Sequence, residues 1–192
     1  MAQEPGRHVL GLAVDPFRCD DGPVTTRQLI VLRHAKAGPR TDTDHERPLT
    51  SRGHRDAGDA GDYLAEIPVI PDYGLVSTAT RTVETWKDVA AATGATIRPH
   101  CHDELYGADA WEVLEMIQTI PASAERVIFI GHNPTVSELV DLLNDGEGDP
   151  EIEARLLEGY PTAALTVFDV GTPWSKVSDH SLRVTHFHVG RG

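Results

Sequence analysis

Two short apolar segments, each followed by a histidine, constrain the fold of this chain more than any other feature. Residues 29–32 (LIVL) precede Arg33 and His34, and residues 127–130 (VIFI) precede Gly131 and His132. Uninterrupted apolar runs of this length are typical of strands buried on both faces, as in parallel sheets. Helical patterns follow both runs, so the sequence predicts an α/β fold in which helices sandwich a mostly parallel sheet.

The other segments continue this alternation of strands and helices. The further predicted strands are 73–77, 163–170 and 182–189. The predicted helices run from about Thr50 or Ser51 to Pro68, from about Ala79 to Gly94, from Asp109 to Pro121 and from Asn133 through Leu143. A further helix is possible in the acidic segment 146–158. Asp109 and Glu112 have the spacing of a capping box. Asn133 is a favourable N-cap, and Pro134 suits the first position of a helix.

Length and composition favour one structured domain. The chain has 192 residues, of which 40% are hydrophobic, which is enough for one sizeable core. Residues 1–26 are rich in glycine, proline and aspartate and show no sustained periodicity, so we expect a loosely structured N-terminal extension ahead of a domain over residues 27–192. No segment has the ~18 apolar residues of a membrane span.

The charge balance excludes two classes of partner. The 30 acidic and 17 basic residues give a net charge of −13, whereas nucleic acids and anionic membranes are bound through clustered lysine and arginine. Cys19 and Cys101 are too few for a disulfide framework, and we therefore expect a reducing, cytoplasmic location.

The candidate site residues share one position in the predicted fold. They lie at strand ends or in the turns that follow them, and are Arg33, His34, Ser77, Arg81 and His132. Ligands of such sheets bind beyond the carboxyl ends of the strands, and helix N-termini there favour an anion. Arginine and histidine in this setting point to phosphoryl transfer.

These residues fall in motifs that resemble the histidine phosphatase superfamily, most closely its small SixA-type phosphohistidine phosphatases. The resemblance extends from about residue 28 to residue 168. The motifs are Leu32-Arg33-His34-Ala35, Glu46-Arg47-Pro48-Leu49-Thr50-x-Arg52-Gly53, Val76-Ser77-x-Ala79-x-Arg81-Thr82-x-x-Thr85, Leu105-Tyr106 and Gly131-His132-Asn133-Pro134. One departure is Ala35, where many members of the superfamily have glycine. The resemblance implies a phosphoglycerate-mutase-like, three-layer α/β/α sandwich.

The resemblance also implies a mechanism without cofactor or metal. His34 would attack phosphorus and form a phosphohistidine, which water then hydrolyses. Arg33 and Arg81 would hold the phosphoryl oxygens, and His132 would complete the cradle. Arg47 would be a peripheral contact to the phosphate or the substrate, and Ser77 would be either a substrate contact or a helix cap. Where the leaving group needs a proton, Glu104 is the candidate general acid and Asp103 the second.

Several alternatives remain open. The pairs His100/His102, with Asp103, and His186/His188 have the spacing of metal ligands on a strand, although solvated histidines have the same spacing. The substrate is a phosphorylated protein or a small phosphate ester, and the oligomeric state is unknown. Other functions to consider are a small-molecule phosphomonoesterase, a phosphomutase of the same superfamily, or a non-catalytic module that binds phosphate.

Overall fold

The computed structural model describes residues 27–39 and 43–192, so the predicted N-terminal extension lies outside the described residues. The strands are β1 (Arg27–Arg33), β2 (Tyr73–Ser77), β3 (His100–His102), β4 (Arg126–Gly131), β5 (Ala164–Val170) and β6 (Arg183–Val189). The helices are α1 (Ser51–Glu66), α2 (Thr80–Thr93), α3 (Ala110–Gln118), α4 (Thr135–Leu143) and α5 (Pro150–Leu157). Two 3₁₀ turns, Glu104–Tyr106 and Trp174–Lys176, complete the regular elements of the described residues. Helix α5 is the helix expected within the acidic segment 146–158.

The six strands form one sheet in the order β3-β2-β4-β1-β5-β6. Strands β3, β2, β4 and β1 pair in parallel, and β5 runs antiparallel to both of its neighbours. Five of the six strands thus point the same way, and the predicted mostly parallel sheet is confirmed. Because β1 and β4 pair centrally, the residues that follow them meet at one edge.

The core has two halves, one on each face of the sheet. Leu29 and Val31 of β1 belong to the cluster that includes the apolar residues of α3 and α4. Ile30 and Leu32 belong to the cluster that includes those of α1 and α2. Successive strand residues point to opposite faces, so an apolar run without alternation is what a sheet covered on both sides requires. The three-layer α/β/α arrangement is confirmed.

The helix ends agree with the predictions in three places and differ in a fourth. Thr50 caps α1 by accepting from the Gly53 amide, Gly94 ends α2 with a left-handed backbone, and Asp109 forms the predicted capping box with Glu112. The prediction that Asn133 caps α4 was wrong, because Pro134 occupies the cap position and the peptide bond between Asn133 and Pro134 is cis. The Asn133 amide nitrogen instead donates to the Tyr160 carbonyl at 3.2 Å.

Within residues 27–39 and 43–192, the helices are too short or too polar for any of them to cross a membrane.

Candidate active site

The carboxyl ends of the central strands bring four predicted residues together. Arg33 ends β1, His34 follows it, and His132 follows β4, while Arg81 lies in the first turn of α2 directly after β2. The rings of His34 and His132 have their centroids 5.2 Å apart, and the Arg81 Nε lies 3.3 Å from the His34 Nε2. These three side chains therefore border one small volume at the sheet edge, and Arg33 is close enough for its charge to act on His34.

His34 is held in one tautomer. Its Nδ1 lies 2.7 Å from the Ala35 carbonyl oxygen, so Nδ1 carries the proton and donates it there. The other nitrogen, Nε2, is left with its lone pair and accepts from the Arg81 Nε. Burial, helped by the charges of Arg81 and Arg33 and opposed by the hydrogen bond to Ala35, lowers the pKa of His34 to about 4. The His34 ring is therefore neutral, with Nε2 unprotonated, at neutral pH.

His132 is buried and also neutral. Its Nε2 lies 2.9 Å from the Ser77 hydroxyl, and its Nδ1 has no hydrogen-bond partner among the described residues. Burial, together with His34 and Arg81, lowers the pKa of His132 to about 3. Ser77 is fully buried. The structure thus places the Ser77 side chain behind the His132 ring and not as the N-cap of α2, a position taken by Ala79.

Arg33 is fixed by a backbone carbonyl. Its Nη1 donates to the Tyr160 oxygen at 2.7 Å, the same oxygen that accepts from Asn133. The Tyr160 side chain is itself locked, because its hydroxyl donates to the Val31 carbonyl at 2.7 Å. Burial lowers the pKa of Arg33 below its ordinary value. The carbonyl of Tyr160 therefore orients Arg33, a role that the sequence analysis did not identify.

Arg81 is 6% exposed and is held by Asp44. Its Nη1 donates to the Asp44 carbonyl at 2.8 Å, and its Nη2 donates to the Asp44 Oδ2 at 3.2 Å. Oδ2 also accepts from the Tyr106 hydroxyl at 2.7 Å, and Oδ1 accepts from the Arg47 Nη1 at 2.8 Å. Hydrogen bonds from Arg47 and Tyr106 hold the pKa of the Asp44 carboxyl well below its usual range.

The sequence analysis missed Asp44 and the role of Tyr106. Asp44 lies in a loop, at the end of no predicted strand or helix, so neither periodicity nor position marked it. Tyr106 appeared only as part of the Leu105-Tyr106 motif. A signal for Asp44 was available in the three-residue spacing to Arg47, an arrangement that the structure shows as an ion pair.

Glu104 lies apart from these groups. Its side chain is 78% exposed, and its one ion pair among the described residues is with His102 at 4.0 Å. It lines a groove beside α3 together with Glu112 and Glu115. Arg47, predicted as a peripheral contact, donates to the Gly38 carbonyl as well as to Asp44. Of the two, Arg47 is therefore the one that is bonded into the site.

The histidines considered as metal ligands have other partners. The His188 ring stacks on Tyr63 with centroids 4.2 Å apart, and its Nε2 lies 2.9 Å from an oxygen of Asp59. His100 stacks on Tyr73 at 4.6 Å. In the part of the chain that the structure describes, no three histidine, cysteine, aspartate or glutamate side chains are grouped so that they could share a metal ion.

The assembled groups have the chemistry of an oxyanion site with a nucleophile. Two guanidinium groups, each bonded to a fixed acceptor and with further N–H groups to donate, are the preferred ligands of a tetrahedral phosphate. An unprotonated imidazole nitrogen lies beside them. The positive charges of Arg33, Arg47 and Arg81 all act on His34, and Asp44 is the carboxylate paired with two of them, in a chain of net charge −13.

Comparison with known proteins gives a consistent result. The sequence model of the histidine phosphatase superfamily (branch 1) matches residues 29–157. An uncharacterised protein of Mycobacterium tuberculosis is 36% identical over 163 residues, which are 83% of this chain and all of that protein. The solved structure of a SixA protein from Nakamurella multipartitia, itself a proposed phosphohistidine phosphatase, has a TM-score of 0.75 and 29% identity, covering 87% of this chain and 98% of that one. A SixA protein from Agrobacterium tumefaciens, likewise a proposed phosphohistidine phosphatase, has a TM-score of 0.71 and 28% identity, covering 85% and 98%.

Proposed function

The chain belongs to the histidine phosphatase superfamily, branch 1, and from this membership we propose that it is a metal-independent phosphatase that acts through a covalent phosphohistidine on His34. The observation that carries the proposal is the state of the His34 ring. Its proton is fixed on Nδ1 by the Ala35 carbonyl, while Nε2 remains unprotonated next to a guanidinium group. An imidazole nucleophile needs this arrangement, because only the nitrogen without a proton can attack phosphorus.

The reaction proceeds in two displacements. In the first, the His34 Nε2 forms a bond to phosphorus while the bond from phosphorus to the leaving group breaks. In the second, water attacks phosphorus, the bond to Nε2 breaks, and inorganic phosphate leaves with neutral His34 restored. Arg33 and Arg81 stabilise the charge on the phosphoryl oxygens in both steps, and fixed cations of this kind supply most of the catalysis in phosphoryl transfer. The His132 Nδ1 has no hydrogen-bond partner among the described residues, and we assign it a further hydrogen bond to the phosphoryl oxygens.

We propose a phosphohistidine, carried on a protein, as the substrate. The proposal is supported by the SixA proteins that share this fold at 28–29% identity. It is also supported by the state of the two acids, Asp44 and Glu104, that could be considered as proton donors. Asp44 is ionised by its three donors and cannot release a proton at neutral pH, and Glu104 is exposed beside His102. The imidazole that leaves when the P–N bond of a phosphohistidine breaks is a good leaving group, so this substrate needs an acid far less than an alkyl phosphate does.

The test is to trap the intermediate. The full chain is mixed with a histidine peptide carrying labelled phosphate on its imidazole, and the reaction is stopped with detergent at alkaline pH, where phosphohistidine survives. We expect label on the protein and release of phosphate, and we expect His34→Ala to abolish the label and to lower turnover at least about a thousandfold. The matched control is His54→Ala, which removes an exposed histidine of α1 bonded to Asp88 and leaves both readouts unchanged. Label or normal turnover in His34→Ala would overturn the proposal.

A further inference from the structure

We propose that Asp44, held by Tyr106, is a positioning residue that turns one edge of the Arg81 guanidinium toward His34 for phosphoryl binding. This inference rests on the proposed function, in which Arg81 holds the phosphoryl group. Neither Asp44 nor Tyr106 needs to touch the substrate for this role. Both residues act through the orientation of Arg81. The Arg81 side chain is long and would adopt many other orientations if nothing held it.

The stereochemistry of the guanidinium carries the argument. The group is planar and has an end-on edge, formed by Nη1 and Nη2, and a side-on edge, formed by Nε and Nη2. Asp44 takes the end-on edge with two acceptors, its own carbonyl at 2.8 Å from Nη1 and its Oδ2 at 3.2 Å from Nη2. The side-on edge faces His34, with Nε 3.3 Å from the His34 Nε2. The carboxylate therefore lies behind the guanidinium and leaves its other edge directed at the nucleophile.

Tyr106 fixes the carboxylate in this place. Its hydroxyl donates to the Asp44 Oδ2 at 2.7 Å, and its ring lies 5.6 Å from the Arg81 Cζ, close enough for a cation-π contact. The same ring meets His132 edge-on, with centroids 5.3 Å apart. Tyr106 thus connects Asp44, Arg81 and His132 from the 3₁₀ turn Glu104–Tyr106, although it belongs to none of the three strands that end at the site.

A competing role for Asp44 predicts the opposite effect of its removal. A carboxylate beside a cation can compete with the phosphoryl group for that cation, and loss of its negative charge would then tighten the binding of any oxyanion. A positioning carboxylate orients the cation, and loss of it would weaken binding despite the gain in net positive charge. Because Asp44 takes the end-on edge and not the one directed at His34, we expect weaker binding.

The experiment measures tungstate binding to the full chain by calorimetry, in the wild type, Asp44→Asn, Tyr106→Phe, Arg81→Ala and Asp44→Asn combined with Arg81→Ala. We expect Asp44→Asn to raise the dissociation constant about tenfold and Tyr106→Phe to raise it about threefold, as for loss of a charge-assisted hydrogen bond. In the Arg81→Ala background, adding Asp44→Asn should change the dissociation constant by less than about twofold, because the effect of Asp44 on binding passes through Arg81. The matched control is Glu46→Gln, which removes one charge from the same loop at a carboxylate that accepts from the Thr43 hydroxyl, and it should stay within about twofold of the wild type.

Three outcomes overturn the inference. They are unchanged binding in Asp44→Asn, tighter binding in Asp44→Asn, and an equal loss of affinity with and without Arg81. If Asp44→Asn does not fold, as judged by circular dichroism, tungstate binding is measured for Tyr106→Phe alone and combined with Arg81→Ala. The same three outcomes, observed for Tyr106→Phe, then overturn the inference. Tungstate binding needs no turnover. A chain that binds the anion with this coupling but hydrolyses no phosphohistidine would therefore contradict the proposed function and leave the positioning role intact.

Discussion

Burial keeps His34 and His132 uncharged, and it does so at a cost that depends on pH. Each ring lies among arginine side chains in a partly dry site, so its protonated form is disfavoured twice, by lost hydration and by repulsion from like charge. The same environment that leaves the His34 Nε2 unprotonated lowers the proton affinity of both rings in the folded chain. In the unfolded chain neither burial nor neighbouring arginines disfavour protonation of these two rings.

We therefore predict that the folded state loses stability as the pH falls from about 6.5 to about 4. The pKa of His34 is about 4 in the folded chain against an ordinary value of 6.5, so the unfolded state binds more protons in this interval. Stability is complete above the interval and declines through it, by on the order of 3 kcal/mol from His34 alone, and the lowered pKa of His132 adds to the decline. Urea unfolding at pH 7 and pH 4.5 measures the difference. The variant His34→Asn combined with His132→Asn should show a much smaller decline, and an undiminished decline in that variant would place its origin elsewhere.

The four residues that we propose to bind and accept the phosphoryl group were predictable from sequence, whereas the groups that hold them in place were not. Arg33, His34 and His132 each end or follow an apolar strand, and Arg81 opens a helix, so topology alone brings them to one edge. The supports are the Asp44 carboxylate and the Tyr160 carbonyl, which come from loops. Loop paths have no hydrophobic period, and a backbone carbonyl carries no residue-specific signal.

The packing of α1 against α2 shows a similar limit at the scale of whole elements. Their periodicity and caps predicted both helices, but not how closely they approach. A methyl group added at Gly61 would lie 2.7 Å from the Ala92 Cβ and 2.9 Å from the Val89 carbonyl oxygen. Gly61 is thus required by close approach. The start of α4 was mispredicted for a similar reason. The Asn133 side chain donates to the carbonyl of Tyr160, 27 residues further along the chain, and does not cap the helix.

Two glycines of α1 give a matched test of this contact. We predict that Gly61→Ala lowers the free energy of unfolding by about 1–3 kcal/mol, because the added methyl forces α1 and α2 apart. Gly58→Ala on the same helix has nothing within 4 Å of its new methyl group and should raise stability by about 0.5–1 kcal/mol through helix propensity alone. Denaturant unfolding at pH 7 measures both. A stabilised Gly61→Ala would show that the helices separate at no cost.

The charge of the whole molecule opposes the charge of its site. The net charge is −13, yet Arg33, Arg47 and Arg81 are gathered at one sheet edge, with Asp44 bonded to two of them. Outside this cluster the surface carries acidic side chains, for example Glu104, Glu112 and Glu115 along the groove beside α3. In the proposed phosphatase, a phosphoryl group would therefore be attracted only at short range, and the surroundings would repel a substrate that is acidic overall.

This division of charge predicts a preference among substrates of equal chemistry. We expect a phosphohistidine peptide flanked by lysines to react with a higher kcat/KM than the same peptide flanked by glutamates, with a serine-flanked peptide between them, because the acidic surface steers the basic peptide inward. Long-range attraction is screened over about 10 Å at 0.1 M salt and about 3 Å at 1 M. The ratio of kcat/KM between the lysine and glutamate peptides should therefore fall steeply as sodium chloride is raised over this range. A ratio that stays constant with salt would assign the preference to direct contacts, and a preference for the glutamate peptide would mean that the local arginines govern the approach of the substrate as well as its binding.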